Sequence, residues 1–409
     1  MLAQTYSPVV GGEERLVEDL SRELAGRGHE VVVATLRQPM GEPPPSPEGV
    51  RIELLDSSVH SLPGISTLED RRYAPPGPDP RIAAGLRRLL AGERPDVVHA
   101  HNWLVDSYLP LARRARPPLV LSLHDYSMVC ATKRLFYRDE ICSGPEPLKC
   151  LRHAIEFYGA PVGTMIAAGT RLSEPWLRRR VDMFLSVSTA VEELCGVEDE
   201  DTPHRVVPNL VGGLPPAPPA GDPQLAALPE EPFVFFFGDV SVDKGARRLI
   251  EAHMALDDPP PLVLAGRQVD PMPEAPNVHR LGPMSHPAVI EALRRSLFSV
   301  APSIWAEPFG IVAIEAAAAG KPIVASAIGG LSDIVLDGET GLLVPPGDDE
   351  ALRAALARMI GDAALRARMG EAARARALDF APERVLPRFE DAYRAAIEAR
   401  LKQAPAARR

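Results

Sequence analysis

Apolar positions along the chain alternate between short β-branched runs and helical stripes. Leu16, Leu20 and Leu24 recur at four-residue spacing after Gly11-Gly12 and line one face of an amphipathic helix. Gly28 ends that helix, and the run from Glu30 to Thr35 reads as a buried strand. The first ten residues read as the tail of a strand cut short, so the opening is a strand, loop, helix and strand, the start of a doubly wound α/β sheet. Further strands are expected at Val97–His99, Leu119–Leu123, Met183–Val187 and Arg205–Pro208, with helices from Arg81 to Ala91 and from Tyr108 to Ala115.

The rhythm breaks at Gly212–Pro223, where clustered prolines forbid a regular helix or an internal strand and predict a stiff, exposed linker. It then resumes. Strands are expected at Phe233–Phe237, Pro261–Ala265, Phe298–Ala301 and Pro322–Ala325, with helices through Leu249 to Ala255, Pro287 to Arg295 and Ile311 to Ala319. The tail is helical: Glu350 to Arg376 is rich in Ala and Arg, and Val385, Phe389, Tyr393, Ile397 and Leu401 form a strict four-residue stripe. That stripe must cover a surface, either on its own domain or on the first one. The expected organisation is an N-terminal domain at 1–211, a hinge at 212–232, a second domain at 233–380 and a C-terminal helix at 381–409.

Composition narrows the function classes. A length of 409 residues is a prior of roughly 2.7 domains. A net charge of −10 argues against nucleic-acid binding by phosphate neutralisation. The 44 prolines lie between well-patterned apolar segments, which argues against disorder. Four cysteines do not make a disulfide scaffold. No apolar run suffices for a transmembrane helix, no signal peptide is visible, and the expected compartment is the cytoplasm.

In two facing open α/β sheets, ligands bind beyond the carboxyl ends of the strands, in the cleft between the domains. The sharpest feature there is Trp305-Ala-Glu-Pro-Phe-Gly-Ile-Val-Ala-Ile-Glu315. Pro308 is favoured at a first helical position, so Glu307 is expected just before a helix. The amides near Phe309 and Gly310 would then sit at a helix N-terminus, which suits a phosphate. Glu315 lies within an apolar helix; if buried, it needs a hydrogen-bonding partner, and a vicinal diol such as a ribose would serve bidentately. The plain alternative is a glutamate facing solvent.

The segment Glu307 to Glu315 resembles the Glu-x7-Glu motif of the retaining glycosyltransferases of family 4. The likeness extends over Gly11–Arg15, Leu24–Val31, Pro95–His101, Leu123–Asp125, Val187-Ser188, Val207–Asn209, Gly320–Ala325, Gly329-Gly330 and Asp337–Gly341. It implies the GT-B fold, two facing Rossmann-like domains with a ligand cleft between them. It also implies transfer of a sugar from a nucleotide-diphosphate donor to an acceptor hydroxyl with retention at the anomeric carbon, and no cofactor is needed for the chemistry. By the same resemblance Glu307 sits beside the donor sugar, Glu315 binds the nucleotide ribose, and the amides of Phe309, Gly310 and Ile311 contact sugar and diphosphate. Lys244 neutralises the diphosphate, Gly12 lets the backbone approach the donor phosphate, His124 lies over the reacting sugar, and Asp125 helps to orient it. Relatives usually begin with several apolar residues before this point, which makes Met1 a candidate late start. The acceptor, whether glycan, lipid-linked or small molecule, is not written in any motif; its loops are expected in stretches such as 41–48 and 57–79.

One position departs from the family's pattern. Gly238 is followed by Asp239 where relatives usually carry Arg or Lys, so Lys244 faces a diphosphate alone unless Arg247, Arg267 or Lys321 compensates. This motivates a second reading, a catalytically silent nucleotide-sugar-binding subunit; a GT-B nucleotide-sugar epimerase is a weaker third, since the Glu-x7-Glu motif speaks against it. Separately, Cys130, Cys142, Cys150 and His153 supply three thiols and an imidazole, enough for a structural zinc site. Three unpaired thiols in a loop is the competing reading, because the first two spacings fit no standard zinc pattern. Of His99 and His101, one is expected to face the cleft and the other to pack. Arg178-Arg179-Arg180 beside Trp176 is expected to be a solvated helix face, with at most peripheral membrane contact.

Overall fold

The computed structural model describes residues 1–7, 11–39, 46–61, 72–111, 116–199 and 201–403. The loops expected at 41–48 and 57–79, and the end of the helix expected at Tyr108–Ala115, lie partly outside the described residues. The chain divides into two units. Unit 1 comprises Met1–Leu135, Cys142–Leu210 and Pro382–Arg409, and unit 2 comprises Phe136–Ile141 and Val211–Ala381.

Unit 1 begins with β1 (Leu2–Ala3), α1 (Gly12–Gly26), β2 (Val31–Leu36), β3 (Val50–Leu55), α2 (Pro80–Glu93), β4 (Val98–His101) and β5 (Leu119–Leu123). A two-stranded hairpin of β6 (Phe136–Tyr137) and β7 (Glu140–Ile141) belongs to unit 2. Unit 1 resumes with α3 (Pro147–Tyr158), α4 (Ala160–Arg180), β8 (Met183–Ser186), α5 (Thr189–Leu194) and β9 (His204–Val206). Its strands pair in the order β3-β2-β1-β4-β5-β8-β9, all parallel. A parallel sheet covered on both faces requires apolar strands, which is why Val31–Leu36 and Leu119–Leu123 carry no charged residue. The helix expected at Tyr108–Ala115 does not form at its start: 3₁₀ turns run over Asn102–Ser107 and Leu109–Leu111, where Pro110 lacks the amide that a longer helix would use. The pair α3 and α4 turns at Gly159, which has φ 81°, and closes where Gly163 meets the Ala154 backbone; a Cβ at Gly163 would overlap the Ala154 carbonyl.

Unit 2 contains α6 (Pro223–Ala226), β10 (Val234–Phe237), α7 (Ala246–Met254), β11 (Leu262–Ala265), β12 (Val278–Gly282), α8 (His286–Arg295) and β13 (Phe298–Ala301). It continues with α9 (Ile311–Ala318), β14 (Ile323–Ser326), α10 (Leu331–Ile334), β15 (Gly341–Val344), α11 (Asp349–Gly361) and α12 (Ala363–Ala377). The order β12-β11-β10-β13-β14-β15, again all parallel, repeats the strand reversal seen in unit 1. Side chains on β10 alternate between two cores. Val234 and Phe236 join Leu249, Ile250, Leu356 and Met369, while Phe233, Phe235 and Phe237 join Ile290 and Leu293. The stretch Glu350–Arg376 is two helices, because Asp362 caps α12 by accepting from the Leu365 amide.

The final helix, α13 (Pro382–Gln403), belongs to unit 1 and packs Val385, Phe389, Ala392 and Ala396 against Leu16, Leu20 and Leu24 of α1. Its four-residue stripe does not stay buried. Each step of four advances about 40° beyond a full turn, so Val385 and Phe389 are covered whereas Leu401 is 69% exposed. Among the described residues no helix is long and apolar enough to cross a membrane. Arg178 is not a solvated residue: it donates to the Gly196 and Cys195 carbonyls at 3.0 and 2.8 Å and pairs with Glu174 at 2.9 Å, tying α4 to the end of α5.

These positions give a direct contrast in stability. Phe389→Ala is expected to destabilise unit 1 by about 3–5 kcal/mol, and Leu401→Ala by less than about 0.5 kcal/mol. Urea denaturation of the two variants checks it; equal effects would show that α13 does not complete the core.

Candidate active site

In both sheets the strand order reverses beside the first strand, between β1 and β4 and between β10 and β13. The crevice outside the carboxyl ends at such a point is where open α/β sheets bind ligands. The polar residues singled out from sequence lie there.

In unit 2, β13 runs into the loop 302–310, and α9 begins at Ile311 after Gly310. Pro308 therefore does not open the helix. Gly310 caps it with φ 100° and ψ 50°, a left-handed conformation that only glycine adopts without strain, and a Cβ there would lie 2.7 Å from Leu331 Cδ2. The Gly330 amide donates to the Glu307 carbonyl at 2.7 Å, and a Cβ at Gly329 would overlap that same carbonyl. The loop is thus clamped against Gly329-Gly330 by backbone contact.

Glu307 is buried at 7% exposure. Its Oε1 forms an ion pair with Lys244 Nζ and accepts from Ser303 Oγ at 3.0 Å. Lys244 Nζ also lies 5.1 Å from the centre of the Trp305 ring. Glu315 is not the solvent-facing alternative: it is 7% exposed, and its Oε1 bonds His286 Nε2 at 2.8 Å. Sequence reasoning missed His286. The signal was there, since Ser285 caps α8 by accepting from the Ala288 amide and Pro287 lies in its first turn, which places His286 at a helix start.

The structure accounts for Asp239. Its carboxylate pairs with Arg267 at 3.0 Å, on exposed side chains at the ends of β10 and β11. Arg247 donates to the Pro271 carbonyl at 2.9 Å and Lys321 to the Ser296 carbonyl at 2.6 Å. Of the three cations that could compensate for Asp239, Arg267 does so.

In unit 1, Gly12 is the exposed first residue of α1, after the masked-off turn at 8–10, which lies outside the described residues. His124 follows β5. Its Nε2 bonds His101 Nδ1 at 2.8 Å, with the rings stacked at 5.1 Å. His99 bonds the Tyr393 hydroxyl and the Ser122 hydroxyl, each at 2.8 Å. Residues two apart on a strand share a face, so the expectation that His99 and His101 point apart is wrong: their ring centres lie 4.2 Å apart. His101, not Asp125, holds the His124 ring, since the Asp125 carboxylate accepts from the Ser127 amide at 2.8 Å. Burial lowers the pKa of all three histidines, that of His124 to about 4.

The zinc reading is not supported. Among the described residues no group of three or more His, Cys, Asp or Glu side chains is placed to hold a metal. Cys130 is buried beside the Thr132 hydroxyl at 3.4 Å, Cys142 donates to the Gly144 carbonyl at 3.5 Å, and Cys150 accepts from the Glu146 amide at 3.3 Å. His153 meets Phe157 edge-on at 6.4 Å. Each group has local company instead of a shared ion, because α3 begins between Cys142 and Cys150 and carries His153 along its own axis.

Two Rossmann-like parallel-sheet units in one chain, each with its polar residues at the strand reversal, make the GT-B class of glycosyltransferases. Solved structures with this fold include sucrose-phosphate synthase from Thermosynechococcus elongatus, with a TM-score of 0.71 at 22% identity, covering 95% of this chain and 94% of that one. HepE of Anabaena in complex with UDP-glucose matches with a TM-score of 0.63 at 17% identity, covering 97% and 98%. The chain belongs to the family 4 glycosyltransferases. The "Glycosyl transferase 4-like domain" matches residues 11–209 and "Glycosyl transferases group 1" matches 222–376. Glycogen synthase from Mycobacterium tuberculosis is 32% identical over 404 residues, covering 92% of this chain and 89% of its own. D-inositol 3-phosphate glycosyltransferase 1 from Catenulispora acidiphila is 29% identical over 433 residues, covering 97% and 94%.

The histidine stack has a pH consequence. A buried neutral histidine binds a proton less readily folded than unfolded, so its contribution is full above pH 6.5 and is lost as pH falls toward the folded value of about 4 for His124. Stability measured by urea denaturation is expected to fall between pH 6.5 and 4, by on the order of 2 kcal/mol from His124. His124→Asn should flatten that slope; an unchanged slope would show that the stack does not carry it.

Proposed function

We propose that the protein is a retaining glycosyltransferase that takes a sugar from a nucleoside diphosphate donor held by unit 2 and transfers it to an acceptor hydroxyl. The buried Glu315 carries the reading. It is fixed by His286 inside an apolar helix that starts at a left-handed glycine, leaving a carboxylate with capacity for a diol beside amides suited to a phosphate. The complex of HepE with UDP-glucose supports a nucleotide-sugar donor on this fold.

On this reading Glu315 takes the ribose hydroxyls, and the amides of Phe309, Gly310 and Ile311 take the diphosphate. Lys244 bridges the diphosphate and Glu307, whose side chain lies against the donor sugar. The bond from the anomeric carbon to the donor phosphate oxygen breaks, and Lys244 stabilises the charge that develops on that oxygen. The acceptor oxygen bonds to the same face of the anomeric carbon, and its proton passes to the departing phosphate. His124 of unit 1 serves the reacting sugar as a neutral imidazole. The silent-subunit reading rested on repulsion by Asp239, and the pairing of that carboxylate with Arg267 removes its motive.

A panel of nucleotide sugars with malto-oligosaccharide and inositol phosphate acceptors tests the reading, with the product anomer assigned by NMR. Inversion at the anomeric carbon would sink the retaining assignment, and tight donor binding without transfer or hydrolysis would restore the silent subunit. Glu315→Ala is expected to weaken donor binding by about 10–100-fold, in line with the loss of charge-assisted hydrogen bonds worth about 1.5–3 kcal/mol. Unchanged affinity would remove its ribose role. Glu307→Gln is expected to lower kcat by at least about 100-fold, the scale of one electrostatic contact at a reacting centre.

A further inference from the structure

Unit 1 contains a cavity of about 590 Å³ beyond the ends of β1 and β4, walled in part by the first turn of α1 and by α4. Glu13, Tyr73, Asn102, Trp103, Asp125 and Lys133 supply much of its chemistry. Glu13 Oε2 accepts from Asn102 Nδ2, while Oε1 is buried with no hydrogen-bond partner. Asn102 holds a left-handed φ of 46°, and its own side-chain oxygen accepts from the Trp103 amide at 2.8 Å. The backbone is therefore strained at the residue that positions Glu13, a cost usually met at sites of binding. Lys133 Nζ sits 4.1 Å from the Trp103 ring centre and 5.5 Å from that of Tyr73.

We propose that Glu13 is an acceptor-reading residue of this transferase, and that the cavity takes an uncharged sugar ring in preference to a phosphorylated one. The proposal rests on the transferase reading above. Its chemistry is that of a polyol site: a spare buried carboxyl oxygen meets a hydroxyl, and the aromatic walls suit the apolar face of a ring. An anionic acceptor would enter beside Glu13, Glu14 and Asp125. The Lys133 ammonium facing them is spread over two aromatic rings, and Arg72 at the rim donates to the Arg37 carbonyl at 3.3 Å. A cationic acceptor would in turn meet Lys133 and Arg72.

The charge state of Glu13 makes the idea measurable. Burial, repulsion by Glu14 and, less strongly, by Asp125 push its pKa up to about 8, against the opposing pull of Lys133 and the Asn102 hydrogen bond. His60, on the far wall, is held neutral by burial, its pKa lowered. Glu13 is thus a neutral acid at pH 7 and ionises above pH 8. A bound ring strips the remaining water from the carboxyl, which disfavours its ionised form further, so affinity falls as pH rises through 8.

Calorimetric titration of the full chain, saturated with UDP, with maltotriose and separately with D-inositol 3-phosphate tests this at pH 7 and pH 9. Maltotriose is expected to bind at least about tenfold more tightly than D-inositol 3-phosphate, and to lose about fivefold or more in affinity at pH 9. Glu13→Ala should weaken maltotriose binding at least about tenfold, while Glu13→Gln, which imitates the neutral acid, should bind without the loss at pH 9. Melting curves of both variants establish that they fold. Tighter binding of D-inositol 3-phosphate, binding of neither probe, or an unchanged affinity in Glu13→Ala overturns the proposal. Failure of the donor reading shows up differently, as absence of UDP binding in the same titrations.

Discussion

Unit 2 depends on one buried carboxylate having a cation to face. Glu307 is almost wholly withdrawn from water, and Lys244 with Ser303 supplies what burial removes. Each partner is itself placed by backbone packing. Lys244 precedes Gly245, which has φ 73° and lies so close to Pro302 that a Cβ would overlap the Pro302 carbonyl. The Asp243 carbonyl accepts from the Ile304 amide at 2.9 Å, so the β10 loop and the β13 loop are fastened on both sides of the ion pair. Glycines at 310, 329 and 330 let a third segment close on the same loop. Breaking such a pair by removing one member costs about 3–5 kcal/mol, because the other charge stays buried. Geometry and charge are therefore not separable here: a change at any of these glycines moves the cation as well as the chain.

Unit 1 solves the corresponding problem without buried charge. Its strand ends carry three imidazoles whose pKa values are lowered, linked in a line from Tyr393 on α13 through His99 and His101 to His124. Neutral rings can be stacked in a dry interior where three carboxylates could not. The line also explains why the end of the chain returns to unit 1. Tyr393 presents its hydroxyl to His99 from the same helix that fills the core with Val385 and Phe389, so one helix both closes the hydrophobic face and supplies a polar partner beneath the site. Burial raises the Tyr393 pKa, which keeps that hydroxyl a neutral hydrogen-bonding group.

Legibility followed burial. Central strands such as Val234–Phe237 and Leu119–Leu123 are apolar on both faces and announce themselves, whereas the edge strands Val50–Leu55 and Val278–Gly282 carry Arg51, Glu53, His279 and Arg280 and do not. Helix α4 stayed hidden because its contacts are made by Gly163 and Gly169 approaching backbone, which leaves no stripe of large residues to read. At the donor loop the pattern Glu307 to Glu315 located the site, yet a proline was taken for the helix start when the glycine two residues on performs that role. The partner of Glu315 comes from another helix 29 residues away, and spacing along one segment carries no information about it. The histidine pair was misread through parity alone: an interval of two on a strand keeps both rings on one face.

The departure at Asp239 shows why charge counting along a sequence misleads. Asp239 and Arg267 sit on neighbouring strand ends in an exposed pair, and an exposed pair contributes little stability while presenting little net field. Its effect is subtraction: a cation that could have faced the donor loop is matched by an anion on the adjacent strand. Lys244 is left as the ammonium at the buried carboxylate, and on the proposed reading the same ammonium must also meet a diphosphate. A lysine suits that demand better than an arginine. Its three rotatable donors can contact a carboxylate and a phosphate oxygen at once without the fixed planar fork of a guanidinium. Substrate charge then completes an arrangement that Glu307 only half satisfies, so the energetic difference between the free and the donor-bound loop rests on how one ammonium divides its hydrogen bonds.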